Sequence, residues 1–93
     1  MTKKKNPVLV AFGNSIRKLR AKKKLSQRVL AERSGLDTSY ISGIERGVRN
    51  PSLKSLETLA KGLGCSISET CKDLDKLDLA KSLPKKTKKK EPK

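Results

Sequence analysis

The side chains able to do chemistry in this chain are overwhelmingly cations. Lysine and arginine number 24 against 9 acidic residues, histidine is absent, and the formal net charge is +15. Catalysis has little to work with: no histidine, two cysteines (Cys65 and Cys71) without metal-site spacing, and no phosphate-cradling glycine loop. Asp73, Asp75 and Asp78 fit a solvated helical face better than an acid–base cluster, and the cysteines read as reduced, buried or half-buried thiols. No enzyme, metal or cofactor is expected. What this residue set can do is bind a polyanion, with nucleic acid the first candidate and an anionic membrane the second.

The charge divides by segment. Lys3, Lys4 and Lys5 contribute +3, and the stretch from Lys81 onward has seven lysines against Glu91 alone. The body from Asn6 to Ala80 carries 14 basic and 8 acidic residues, so it is basic without its ends. Residues 1–7 and 79–93 are poor in apolar residues and read as flexible basic tails around a domain at 8–78. No stretch approaches the roughly 20 apolar residues that span a bilayer, and the start lacks the apolar run and cleavage site of a secretory signal. A cytoplasmic location and no membrane partner are therefore expected.

Only one Phe, one Tyr and no Trp stand in a chain that is 33% hydrophobic, so the core must be small and aliphatic. Apolar residues recur at helical spacing between glycines and capping residues, which predicts an all-α bundle of about five short helices. Leu9, Phe12, Ile16 and Leu19 mark helix one, about Val8 to Lys23. Ser26 caps helix two, with Leu30 and Ala31 inward and Gly35 as its stop. Asp37 caps helix three, about Thr38 to Arg46, with Ile41 and Ile44 inward and Gly47 after it. Helix four carries Leu53, Leu56, Leu59, Ala60 and Leu63 between a cap at Ser52, or at Asn50 with Pro51 first, and Gly64. Ser66 and Glu69 form a capping box for helix five, whose stripe is Ile67, Cys71, Leu74 and Leu77.

Two short helices joined at Gly35 and the apolar Leu36 have the local form of a helix-turn-helix, about Ser26 to Gly47, although glycine after a helix is commonplace. The longer stretch Leu-Ser-Gln-Arg-Val-Leu-Ala-Glu-Arg-Ser-Gly-Leu-Asp-Thr-Ser-Tyr-Ile-Ser-Gly-Ile-Glu-Arg-Gly-Val-Arg-Asn-Pro-Ser-Leu, Leu25 to Leu53, closely resembles the Cro/C1-type (XRE) helix-turn-helix regulators. The likeness runs from about Ile16 to Thr70 and continues through Leu59-Ala60 and Leu63-Gly64. Phage repressors and restriction-modification controller proteins share this domain.

The resemblance implies a sequence-specific regulator of bacterial or phage origin on double-stranded DNA, its second helix-turn-helix helix lying in the major groove. Its base-reading positions match Thr38, Ser39, Ser42 and Gly43, with Asp37 close by. Gly43 departs from the family's usual long polar side chain. Either the helix approaches the groove floor there, or specificity moves to Thr38, Ser39 and flanking arginines, or DNA shape carries part of it. The family's phosphate-clamping glutamine matches Gln27, where an amide and free backbone N–H groups meet. Arg28, Tyr40, Arg46, Arg49 and Asn50 are the other expected backbone contacts. The family's arginine–glutamate pair matches Arg20 and Glu45, a scaffold feature that would fix the angle of the reading helix.

Such proteins usually bind a two-fold operator as homodimers, and Ile67, Cys71 and Leu74 on helix five are the expected dimer surface. Two rivals use the same domain: an antitoxin or adaptor that also binds a partner protein, and a non-specific architectural DNA-binding protein.

Overall fold

The computed structural model describes residues 6–77, and every regular element in that span is helical. The order is α1 (Pro7–Lys22), α2 (Gln27–Ser34), α3 (Thr38–Glu45), α4 (Leu53–Leu63) and α5 (Ile67–Thr70), followed by a 3₁₀ turn over Lys72–Lys76. The all-α bundle inferred from apolar spacing is the fold observed. Residues 1–5 and 79–93, expected to be flexible tails, lie outside the described residues.

The helix ends follow from local chemistry. Asn6 Oδ1 accepts the Val8 N–H at 2.8 Å, and Pro7 occupies the first turn, where its missing donor costs nothing. This corrects the N-terminal boundary: Asn6 and Pro7 belong to the helix start, not to a tail. Ser26, Ser52 and Ser66 cap α2, α4 and α5, each accepting the N–H three residues on at 3.0–3.1 Å. Ser52 thus takes the α4 cap, not Asn50. Asp37 occupies the cap position of α3 without a side-chain cap hydrogen bond. Lys24, just past α1, has φ 57°, a left-handed conformation that favours glycine.

Phe12, Ile16, Leu30, Ala31, Ile41, Ile44, Leu59 and Leu63 form the core. Close backbone approach makes this possible in a chain with few large side chains. A Cβ on Gly13 would press on the Ile44 and Glu45 carbonyls, so this glycine lets α1 lie directly on the end of α3. Likewise a Cβ on Gly62 would sit 3.0 Å from Ser34 Cβ and 3.1 Å from Leu30 Cδ1, where α4 meets α2.

The fifth helix is shorter than its sequence pattern implied. After four α-helical residues the chain tightens to 3₁₀ winding, with Leu74 N–H donating to the Cys71 carbonyl at 2.9 Å and Leu77 N–H to that of Leu74 at 3.1 Å. The physical reason is the three-residue spacing of Cys71, Leu74 and Leu77, which matches three residues per turn. Cys71 and Leu74 pack against the core in this arrangement, while Ile67 is 48% exposed. Lys18 reaches Asp73 at 3.0 Å and ties this turn to α1. Both cysteines are free and half-buried.

Candidate nucleic-acid interface

Between Gln27 and Asn50 the polar side chains fall into an anchored group and an exposed group. Glu45, at the end of α3, is buried with its side chain only 3% exposed, and it accepts three hydrogen bonds. Arg20 Nε donates to Oε2 at 2.6 Å, Arg20 Nη2 to Oε1 at 2.9 Å, and Gln27 Nε2 to Oε1 at 3.0 Å. Arg20 Nη1 also donates to the Leu25 carbonyl at 2.9 Å. One carboxylate therefore joins α1, the start of α2 and the end of α3. The side-chain hydrogen bond to Glu45 is the main reason the Arg20 pKa lies above its ordinary value, so this guanidinium is charged throughout the accessible pH range.

Asp37, Thr38 and Ser39 are exposed at the start of α3, and Ser42, a turn further on, is half-buried. Ser42 Oγ accepts from Arg46 Nε at 3.3 Å. Gly43, expected among the reading positions, is not exposed. The Arg49 side chain lies across it, with Arg49 Cγ too close to leave room for a Cβ. The absent side chain leaves a seat for Arg49, whose own N–H donates to the Gly43 carbonyl at 3.2 Å. The Arg49 guanidinium carbon then stands 5.6 Å from the centre of the Tyr40 ring, within cation–π range. Arg49 is exposed, as are Arg46 and Asn50, and neither arginine has a carboxylate partner among the described residues.

Three expected phosphate contacts are engaged within the protein. Gln27 commits one amide hydrogen to Glu45 and retains the other. Tyr40 commits its hydroxyl hydrogen to Ser55 Oγ at 3.1 Å. Arg28 lies 3.7 Å from Glu32, a loose exposed pair. Ser55 itself carried no signal in the sequence: a serine three residues after a serine cap says nothing about a tyrosine on another helix.

A helix-turn-helix family profile matches residues 16–69, over half of the chain. The chain belongs to the Cro/C1-type helix-turn-helix family. This regulator is 44% identical over 72 residues to the control protein C.MunI of a Mycoplasma species, spanning 76% of the chain and 97% of that relative. Among solved structures it is similar to the restriction-modification controller protein C.AhdI from Aeromonas hydrophila, with 50% identity and a TM-score of 0.66 over 67% of the chain and 94% of the controller. It is also similar to the controller protein C.Esp1396I, solved as a tetramer on its natural 35 base-pair operator, with 42% identity and a TM-score of 0.70 over 76% of the chain and 93% of the controller. The family, the all-helical fold and the role as a sequence-specific DNA-binding transcription regulator are thus those the Leu25–Leu53 motif implied. No helix among the described residues is long and apolar enough to cross a membrane.

Proposed function

We propose that the regulator reads duplex DNA with the segment 38–46 in the major groove, as one half of a homodimer on a two-fold operator. The observation that carries this reading is the arrangement around α3. Exposed Thr38 and Ser39 stand at its start, a buried Glu45 held by half-buried Arg20 and Gln27 anchors its end, and Arg46 and Arg49, without carboxylate partners among the described residues, follow it. Thr38, Ser39 and Ser42, with Asp37 beside them, supply hydroxyl donors, acceptors and small apolar contacts to base edges. Arg49 takes the place that Gly43 leaves empty. Arg46, Asn50, Arg28 and the second amide hydrogen of Gln27 hold the phosphates, which fixes register without reading sequence.

A helix of eight residues spans too few base pairs for specificity alone, so a two-fold pair about one helical turn apart is needed. Of the expected dimer surface, exposed Ile67 is the residue most open to a partner, while Cys71 and Leu74 are half-buried against the core. Operator binding by the C.Esp1396I tetramer supports this assembly. The domain runs from the α1 cap at Asn6 to about residue 78, works in a bacterial or phage-infected cytoplasm, and has no enzymatic role.

Selection of bound duplexes from a random library tests the reading. A recovered two-fold consensus supports it, and Thr38→Ala with Ser39→Ala should change the consensus more than the salt slope of binding. A library that emerges unenriched, or a consensus untouched by both substitutions, overturns it.

A further inference from the structure

At the junction of α3 and α4 a short relay of hydroxyls runs from the reading surface to a helix cap. Tyr40 Oη donates to Ser55 Oγ at 3.1 Å, and Ser52 Oγ donates to the same oxygen at 3.2 Å. Ser52 in turn accepts the Ser55 N–H at 3.0 Å as the cap of α4. Ser55 is half-buried and is the point where these bonds meet, so the tyrosine hydroxyl is tied to a structure fixed by its own backbone. On its other side the Tyr40 ring carries the Arg49 guanidinium at 5.6 Å, while the Arg49 stem rests on Gly43. Arg49 is thus located from below by glycine and from one side by an aromatic ring whose side chain cannot swing away about χ1 without breaking its bond to α4.

We propose that Ser55 is a positioning residue for sequence reading: it holds Tyr40, and through Tyr40 it sets the direction in which Arg49 meets the DNA. The inference rests on the major-groove reading above. A long arginine otherwise has many rotamers to lose on binding, and a guanidinium fixed in advance keeps more of its interaction energy for the base edge it meets. Ser55 touches no base in this scheme. Its effect is on preference between sequences, with no phosphate contact of its own to lose.

The test uses the full chain and the consensus duplex recovered by selection, compared with a scrambled duplex of the same composition. Ser55→Ala should weaken binding to the consensus about 3- to 10-fold, the worth of one neutral hydrogen bond. It should leave affinity for the scrambled duplex and the salt slope of both unchanged. Ser55→Thr, which keeps the hydroxyl, should restore the preference. Tyr40→Phe keeps the ring and removes the hydroxyl, so it should match Ser55→Ala, and the double variant should add little to either.

Several outcomes overturn the proposal. Unchanged preference in Ser55→Ala does so, as does additivity of the two single substitutions. Equal loss on consensus and scrambled duplexes does so as well, because it marks Ser55 as a direct phosphate contact or a merely structural residue. A wild-type chain with no preference for either duplex removes the underlying reading itself, and that failure shows before any variant is made.

Discussion

Replacing Arg20 with alanine strands Glu45 inside the protein. The Glu45 carboxylate loses both guanidinium hydrogen bonds, at 2.6 and 2.9 Å, and keeps only the Gln27 amide at 3.0 Å. The Leu25 carbonyl loses its donor as well. Removing one partner of a buried pair costs about 3–5 kcal/mol, because the remaining charge is left without compensation. Small domains have only about 5–15 kcal/mol in total, and one of this size moves by about 4–8 °C per kcal/mol. The melting temperature should therefore fall by about 12 °C or more. Arg28 supplies the internal comparison: its pair with Glu32 is 3.7 Å long, with side chains 78% and 68% exposed, so Arg28→Ala should cost no more than about 0.5 kcal/mol. Replacing Arg20 and Glu45 together with methionine removes both charges and should regain most of the loss. Thermal and urea denaturation followed by far-ultraviolet circular dichroism measure all three variants. If Arg20→Ala costs less than about 1 kcal/mol, close to Arg28→Ala, the buried pair does not hold α3 in place and the reasoning fails.

Gly13→Ala should destabilise the domain by about 2 kcal/mol or more in the same assay. Its Cβ would sit 2.7 Å from the Glu45 carbonyl oxygen and 2.9 Å from its carbon, and these backbone atoms cannot step aside. The helix-propensity gain of about 1 kcal/mol is too small to compensate. Lys24→Gly should act in the opposite direction, raising stability by about 1 kcal/mol, because φ 57° suits glycine; a neutral or destabilising result contradicts this. Asp73 predicts a pH effect. Its hydrogen bond from Lys18, together with the charges of Lys18 and Lys76, holds its carboxyl below the ordinary range. A depressed folded-state pKa gives stability that is complete above the unfolded value, about 3.9, and is lost as pH falls through the folded value. Stability should therefore fall more steeply on acidification in the wild type than in Asp73→Asn, and parallel pH curves would refute the ion pair.

Much of this was legible in the sequence because the relevant signals are local. The caps at Ser26 and Ser66 and the left-handed glycines at positions 35, 47 and 64 mark helix ends by backbone chemistry that no distant contact overrides. Ile41 and Ile44 fixed the inward face of α3 by spacing alone. What the sequence could not show depends on contacts between helices. Gly43 looks like an empty reading position until Arg49 is seen folded over it, six residues on and across a turn. Tyr40 and Gln27 carry groups that suit a phosphate, yet each has a protein partner on another helix. The fifth helix misled because spacings of three and four residues both fit a helical stripe, and only packing shows that spacings of three prevail from Cys71 to Leu77.

The most direct test of sequence-specific reading is affinity across a salt series, for the selected consensus duplex and for a scrambled duplex of the same composition. A regulator that reads bases binds the consensus about 10³-fold or more tightly at physiological salt, and the gap persists as salt weakens both. Equal affinities with equal slopes contradict that claim, because they are the signature of a basic protein that holds phosphates and reads nothing.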